Sequence, residues 1–305
     1  MNNKVVIVGC GNVGMSYAYS LLNQRTYVNE LVLIDINTNK TIGEAMDLNH
    51  GLAYSPSKIK IYAGDYNDCH DAKIVVIAAG ANQNVGETRM DLIYKNSNIF
   101  KDIINKIMNS GFKGIFIIAT NPVDVLTYQT WLYSKMETNK VIGTGTTLDT
   151  ARLRYEISEK IHISPKNVHA YVLGEHGDSE FVSWRNSMIG ANNINEFISE
   201  TEKDEIEEKV RTMAYDIINR KGNTSYGIGM SLTRITNAIL GDENTILTIS
   251  SYDPINKIFI GYPTIINKNG ADRRLDMHLS ENEKIKMETS IKTIKEAISK
   301  IANWN

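Results

Sequence analysis

The first half of the chain alternates short apolar runs with longer amphipathic stretches. Apolar runs at residues 5–8, 31–34, 73–79, 115–119 and 140–142, with the alternating segment 58–62, predict six strands. The run at 73–79 (KIVVIAA) has no polar alternation, which is typical of a strand covered on both faces. Six strands separated by helical segments predict an α/β fold built on a doubly wound parallel sheet.

From about Gly143 the pattern changes to mixed helices and strands. Helices are predicted over 148–160, over 201–220 and after the capping box Ser280–Glu283, and turn-rich strands over 244–275. The helix at 201–220 carries one apolar stripe, formed by Ile206, Val210, Met213 and Ile217. We therefore expect a doubly wound domain over residues 1–143 and a second, mixed α+β domain over residues 144–305.

The first strand runs directly into a glycine-rich turn. Gly9, Gly11 and Gly14 form a G-x-G-x-x-G pattern, in which glycine allows the tight bend, the approach of a pyrophosphate and close contact of helix and strand. The amides at the start of the following helix, including those of Asn12 and Val13, would hold the phosphate charge.

An acid at the end of the second strand strengthens this interpretation. Asp35 lies 21 residues after Gly14, where a Rossmann-type fold places the carboxylate that binds the ribose hydroxyls. A carboxylate at this point favours NAD and repels the extra phosphate of NADP. The alternative is a glycine-rich turn and a strand-end acid in some other α/β protein.

Composition narrows the possible partners. The chain has 305 residues, 42% hydrophobic and 22% charged, with a formal charge of −2, which gives no reason to expect nucleic acid or an anionic membrane. No apolar run approaches the roughly 18 residues of a membrane span, and the first strand begins almost at once, so we expect a cytoplasmic protein. Two cysteines, Cys10 and Cys69, exclude a disulfide framework and a cysteine-rich zinc site.

Two segments of the second half carry candidate acid–base chemistry. Asp149 and Arg152 are three residues apart and share a helix face, whereas Arg154 points away from them. An ordinary salt bridge at a helix start is the alternative for this pair. His176 lies in the turn Gly174–Asp178, where nearby glycine and acids would leave an imidazole in a cleft, held by a carboxylate. A structural histidine is the alternative there.

These motifs, with the polar segment Gln83–Arg89 and the stretch Thr120–Asp124, occur in an order that resembles the family of L-lactate and malate dehydrogenases over essentially the whole chain. The resemblance implies that His176 exchanges a proton with the substrate oxygen, that Asp149 holds the imidazole and that Arg152 grips the substrate carboxylate. It further implies that Arg89 descends with a closing lid and that Asn121 bonds near the carbonyl and the nicotinamide.

Substrate choice depends on two further positions in this resemblance. Gln83 stands where the malate branch has an arginine, and a neutral amide would leave the second carboxylate of oxaloacetate unpaired. Thr224 matches a threonine that lines the small end of the pocket in the lactate branch. Pyruvate and L-lactate are therefore the expected substrates, in fermentative glycolysis. Departures from the family pattern at 181–186, Asn223 and Ser225 keep a broader L-2-hydroxy acid dehydrogenase as the alternative, with malate as a less favoured substrate.

The resemblance also suggests regulation and assembly. An arginine and a histidine at the places of Arg154 and His169 bind fructose bisphosphate in some bacterial members, and a homotetramer is implied. No metal is expected, because Cys10 and Cys69 cannot reach His176 as the metal-dependent, NAD-using glycoside hydrolases would require. A non-catalytic NAD-binding protein would have no need of His176, Asp149, Arg152 and Arg89 together.

Overall fold

The computed structural model describes residues 2–81 and 89–302, with the backbone alone at 89–92 and 302. Gln83 and the other predicted lid residues up to 88 therefore lie outside the described residues, as does the side chain of Arg89.

The six strands predicted for the first half are confirmed, with shifts of one or two residues at their ends. They are β1 (Lys4–Val8), β2 (Glu30–Ile34), β3 (Lys60–Ala63), β4 (Ile74–Ile77), β5 (Ile115–Ile118) and β6 (Val141–Gly143). The second half adds β7 (Val168–His169), β8 (Val172–Leu173), β9 (Phe181–Val182), β10 (Met188–Ile189), β11 (Asn192–Asn193), β12 (Thr245–Asp253), β13 (Ile258–Asn267) and β14 (Gly270–Arg274).

The helices surround these strands. They are α1 (Asn12–Asn23), α2 (Thr38–Gly51), α3 (Arg89–Asn109), α4 (Val123–Ser134), α5 (Thr147–Ile161), α6 (Glu200–Lys221), α7 (Tyr226–Leu240) and α8 (Glu281–Ala302). The capping box predicted for α8 is present, because Ser280 N–H donates to Glu283 Oε2 at 2.7 Å and Glu283 N–H donates to Ser280 Oγ at 3.3 Å.

One large sheet organises the described chain, in the order β14-β13-β12-β6-β5-β4-β1-β2-β3. The strands β1 to β6 are parallel, and the order reverses between β1 and β4. Ligands of such sheets bind outside the carboxyl ends of the strands at this switch point. The glycine-rich turn follows β1 and therefore lies there.

Both faces of the parallel sheet are covered, which explains the continuous apolar runs. Val5 and Ile7 of β1 pack toward α1, α2 and α7, while Val6 and Val8 pack toward α3 and α4. A separate apolar cluster joins α5, α6 and the short strands β7, β8, β9 and β10.

The second half of the chain completes the same sheet. Strand β12 pairs antiparallel with β6 at Ser250 and Gly143, and β13 and β14 follow as a meander. Leu232 and Ile235 of α7 belong to the same apolar cluster as β1 and α1. The core of the first half is therefore built partly from residues of the second.

The predicted stripe of α6 is only half right. Ile206 and Val210 are buried, but Met213 and Ile217 are half-buried. The apolar cluster that covers this helix includes Ile206 and Val210 and does not extend to its last turns, where Ala214, Tyr215 and Ile218 line a cavity. In the described part of the chain, no helix is both long and apolar enough to cross a membrane.

Candidate active site

The glycine-rich turn has the geometry that its sequence requires. Gly9 has a φ of +104°, and a Cβ on Gly9 would lie 2.4 Å from the backbone nitrogen of Ala79. A Cβ on Gly14 would lie 2.0 Å from the carbonyl oxygen of Gly9. In contrast, a Cβ on Gly11 would meet no atom of the described residues within 4 Å. Glycine thus serves packing at two positions and leaves open space beside the start of α1 at the third.

The start of α1 and Asp35 meet at this turn. Gly11 precedes α1 without a side-chain cap, and Asn12 is exposed while Val13 is half-buried. Asp35 Oδ2 accepts the Cys10 N–H at 2.7 Å, so the carboxylate lies against the turn. A cavity of about 740 Å³ beside it is lined by residues that include Cys10, Gly11 and Asn12. The uncapped amides, the open space and a carboxylate against the turn fit a dinucleotide.

Asp149 lies at the centre of the candidate catalytic site. It is in the first turn of α5 and is 1% exposed. His176 Nδ1 and Asp149 Oδ2 are 2.7 Å apart, and Arg152 Nη1 donates to Asp149 Oδ1 at 2.8 Å. The structure therefore brings together the imidazole, the carboxylate and the guanidinium that the sequence singled out.

Hydroxyl groups tie this part of α5 to the sheet. Thr248 of β12 donates from Oγ1 to the Thr146 carbonyl at 3.0 Å and lies 2.8 Å from Thr150 Oγ1. The N–H of Val172 donates to Thr150 Oγ1 at 3.0 Å. The helix turn that carries Asp149 is thus held from β12 on one side and from β8 on the other.

The backbone of His176 is held by an acid to which the sequence analysis gave no role. The His176 N–H donates to Asp124 Oδ2 at 2.8 Å, and Ser250 Oγ donates to Asp124 Oδ1 at 2.5 Å. Burial raises the pKa of Asp124 to about 6, partly offset by these hydrogen bonds. The available signal was the position of Asp124 in the polar segment that follows β5.

The electrostatics of the pair favour a charged imidazole. Burial would lower the pKa of His176, but the charge of Asp149 and its hydrogen bond raise that pKa above its ordinary value. Burial would likewise raise the pKa of Asp149, yet His176 and Arg152 hold it below its ordinary value. The site is therefore suited to holding a proton on His176 near neutral pH.

A cavity of about 310 Å³ opens beside this pair. Asn121, which follows β5 and is exposed, lies on its wall with Asp149, Arg152 and His176. Glu180, which the sequence analysis did not single out, lies there too. The other described lining residues are Ile93, Pro122, Gly177, Asp178, Arg211, Ala214, Tyr215 and Ile218.

Three predicted positions lie away from this cavity. Thr224 is half-buried in the loop between α6 and α7 and is not among the described residues that line the cavity. Arg154 Nε donates to the Ala170 carbonyl at 3.2 Å, and its guanidinium lies 5.5 Å from the Tyr171 ring centre. His169 is exposed on β7, next in sequence to Ala170. Arg154 therefore faces away from Asp149, and it lies close to the strand that carries His169.

A dinucleotide-type turn at the switch point, together with an imidazole–carboxylate–guanidinium set, is typical of an NAD-dependent dehydrogenase. Comparison with known proteins agrees with this class. Residues 3–143 match the model of the lactate/malate dehydrogenase NAD-binding domain, and residues 146–304 match that of the α/β C-terminal domain. The chain belongs to the lactate/malate dehydrogenase family.

Individual relatives cover nearly the whole chain. The L-lactate dehydrogenase of Bacillus pumilus is 49% identical over 97% of each chain. The crystal structure of MGS-M5, a lactate dehydrogenase from a Medee basin deep-sea metagenome library, is 51% identical, covers 99% of both chains and has a TM-score of 0.96. The minor L-lactate dehydrogenase of Enterococcus mundtii in its ligands-bound form is 43% identical, covers 98% of both chains and has a TM-score of 0.95.

Proposed function

We propose that this chain is an L-lactate dehydrogenase, which reversibly reduces pyruvate to L-lactate with NADH. The observation that carries the proposal is the contact of Asp149 with both His176 Nδ1 and Arg152 at the wall of one cavity. Bound NADH would supply hydride to the carbonyl carbon. The similarity to proteins named L-lactate dehydrogenase supports the choice of substrate.

In this mechanism His176 handles the proton. Because Nδ1 is held by Asp149, Nε2 is the nitrogen that gives a proton to the carbonyl oxygen of pyruvate as the alcohol forms. Asp149 stabilises the imidazolium and orients the ring, as the carboxylate of an acid–base set does. In the oxidation of lactate, the neutral Nε2 takes the proton back.

Arg152 orients the substrate. Its side chain is 8% exposed and lines the cavity, so the contact is made in a largely dry site. One nitrogen is engaged by Asp149, and the rest of the guanidinium fork is available for two parallel hydrogen bonds to the substrate carboxylate. Asn121 would bond near the reacting carbonyl and the nicotinamide from the end of β5.

The remaining assignments are proposals that rest on the sequence. Gln83 would reject a second carboxylate, Arg89 would stabilise charge on the carbonyl oxygen after closure, and Thr224 would bound the small end of the pocket. Within the departing segment 181–186, Phe181, Val182 and Ser183 are buried, and none of the six residues is among the described residues that line the cavity. This segment therefore gives no reason to expect a wider substrate cavity.

The proposed activity is tested by following NADH absorbance with pyruvate, oxaloacetate and a branched 2-oxo acid. We expect kcat/KM for pyruvate to exceed that for the others by at least about 100-fold. Equal efficiency with oxaloacetate would contradict the proposal, and equal efficiency with the branched acid would favour the broader dehydrogenase. Gln83→Arg should shift the preference toward oxaloacetate.

We further propose that the chain forms a homotetramer. Exposed apolar side chains lie on three helices: Tyr19 of α1 (63% exposed), Met46 of α2 (57%) and Met230 of α7 (55%). Tyr19 and Met230 line the same cavity, and contiguous exposed apolar surface is typical of interfaces between subunits. Light scattering coupled to size-exclusion chromatography would give the mass, and a monomer at micromolar concentration would contradict the proposal.

We also propose fructose bisphosphate as an effector at Arg154 and His169. The support is that His169 is exposed and that Arg154 bonds the carbonyl next to it in sequence. We expect the sugar bisphosphate to lower the pyruvate concentration needed for half-maximal rate. An unchanged curve at every pH between 5.5 and 8 would contradict this, leaving the proposed activity intact.

A further inference from the structure

Glu180 is a buried acid beside the His176–Asp149 pair. It directly precedes β9, its side chain is 6% exposed, and its Oε2 lies 3.9 Å from His176 Nδ1. Single ligand atoms of Glu180, Asp149 and His176 all lie within 4.8 Å of one another. The mechanism described above makes no use of this third group.

The charges around Glu180 do not favour its ionised form. Asp149 and Arg152 face it from α5, and His176 and Glu175 lie on its own loop. On its other side, α6 and α8 present Asp204, Glu207, Glu208, Arg211 and Lys286. Among these described residues, Arg211 is paired with Glu208 and Lys286 with Glu207.

Among the described residues, Arg152 is therefore the permanent cation shared by Asp149 and Glu180. When His176 is neutral, ionising both carboxyls would place two negative charges beside one guanidinium in a dry site. Two carboxyls so arranged share one proton. Since Asp149 is bonded to both His176 and Arg152, the proton belongs on Glu180.

A metal ion is the competing occupant of the same three side chains. However, His176 Nδ1 and Asp149 Oδ2 are already engaged with each other at 2.7 Å, and Arg152 lies 2.8 Å from the other Asp149 oxygen. A cation would have to displace the first contact and lie close to a guanidinium. A shared proton requires neither.

We propose that Glu180 is a positioning residue that stays protonated and donates its carboxyl hydrogen to Asp149. The inference rests on the proposed function, because it concerns the acid–base set of that reaction. The donated hydrogen bond takes up part of the negative charge of Asp149. Asp149 then stabilises the His176 imidazolium less strongly, so His176 can release its proton to the substrate at neutral pH.

The direction in which the pKa of Glu180 is shifted agrees with this geometry. Burial, followed by the charge of Asp149 and a hydrogen bond to it, raises the pKa of Glu180 well above its ordinary value. The opposite shift of Asp149 follows from its contacts with His176 and Arg152.

The test is an NMR titration of His176 in the ligand-free protein, labelled at its six histidines, with His176→Asn identifying the resonance. Glu180→Gln keeps a hydrogen donor without a charge, and Glu180→Met has a similar volume but no donor. Glu156→Gln is the matched control, because Glu156 is equally buried but pairs with Lys209. The metal chelator EDTA is present in one series and absent in the other.

We expect Glu180→Gln and Glu156→Gln to leave the pKa of His176 in place. Glu180→Met should raise it by about 0.5–1 unit, because Asp149 then keeps its full charge for the imidazole. A fall of about one unit or more in Glu180→Gln would show that Glu180 is ionised and would overturn the proposal. The proposal would also be overturned if the pKa of His176 were unchanged in folded Glu180→Met, or if the titration of His176 depended on EDTA.

The pH profile of kcat/KM for pyruvate gives the second readout. The pH at which kcat/KM for pyruvate reduction declines should be higher in Glu180→Met than in the wild type. In Glu180→Gln it should equal the wild-type value. If Glu180→Met does not fold, the Gln variant still separates a protonated from an ionised acid. Failure of the wild-type protein to reduce pyruvate would refute the proposed function, whereas the titration of the ligand-free protein would still decide the state of Glu180.

Discussion

The charge state of each residue in this site depends on which other side chains contact Asp149. His176, Arg152 and Glu180 all approach one buried carboxylate, and each changes the charge that the other two experience. A substitution at Asp149 should therefore change proton transfer and substrate binding together. Substitutions at its neighbours should separate the two.

We expect Asp149→Asn to lower kcat for pyruvate reduction by at least about 100-fold, because the imidazolium loses its counter-charge and its fixed orientation. Reduction requires protonated His176, whose pKa Asp149 raises, so the remaining activity should decline at lower pH than in the wild type. The measurement is the pH profile of kcat/KM. A decline at the wild-type pH would contradict the role given to Asp149.

Arg152→Lys should raise the KM for pyruvate by about 100-fold, since an ammonium cannot replace a planar two-pronged contact. Steady-state kinetics provide the measurement. Arg234→Lys is the matched control, because Arg234 pairs with Glu243 at 2.6 Å in a half-exposed site on α7. Similar KM values for the two variants would argue against a carboxylate-binding Arg152.

At the scale of elements, different glycines of the glycine-rich turn serve packing and NADH binding. Gly14→Ala would place a methyl group 2.0 Å from the Gly9 carbonyl oxygen, so the turn must shift. The methyl group of Gly11→Ala would meet no atom within 4 Å in the part of the chain that the structure describes, although it would narrow the space at the start of α1. Gly14→Ala should therefore lower both stability and NADH binding, whereas Gly11→Ala should lower NADH binding alone.

We expect Gly14→Ala to lower the free energy of unfolding by about 2–3 kcal/mol and to weaken NADH binding. Gly11→Ala should keep the stability within about 0.5 kcal/mol while weakening NADH binding. Urea denaturation and NADH fluorescence titration measure the two effects. Equal losses of stability in the two variants would show that the turn packs differently.

Features that depend on residues close together in the sequence were predictable, whereas contacts between distant residues were not. The turn, Asp35 and the six strands follow from local spacing and apolar runs, and the structure places them as expected. Asp124 and Glu180 were missed because their partners, His176 and Asp149, come from distant parts of the chain. The stripe of α6 is buried only along its first turns, because periodicity shows which face of a helix is apolar but not how far the neighbouring core extends along it.

At the scale of the whole molecule, elements of the second half of the chain pack into the core and the sheet of the first half. We still propose residues 1–143 and 144–305 as its two domains, but α7 packs into the core of the first and β12 extends its sheet at Gly143. The large sheet and the apolar cluster around α1 and α7 thus need residues of both halves. The division therefore describes topology rather than independent folding units.

We expect the intact chain to unfold in urea as one cooperative transition. The chain has three tryptophans, so Trp304→Phe is combined with Trp184→Phe to leave Trp131 of the first half as the fluorescent reporter, and with Trp131→Phe to leave Trp184 of the second. At a fixed protein concentration the two midpoints should agree with that from far-UV circular dichroism. Two separate midpoints would show that the halves unfold independently.

The two ends of α6 have different freedom to change. The first end is anchored by Ile206 and Val210, whereas Ala214 and Ile218 line the cavity beside the reacting groups and are not part of that apolar cluster. Tyr215 also lines the cavity, and its hydroxyl donates to Asp178 Oδ1 at 3.1 Å. Because the His176 amide donates to Asp124, which Ser250 holds in turn, exchanges at Ala214 and Ile218 need not move the proton donor. New substrate preferences can thus evolve, or be engineered, on one helix face while the chemistry stays the same.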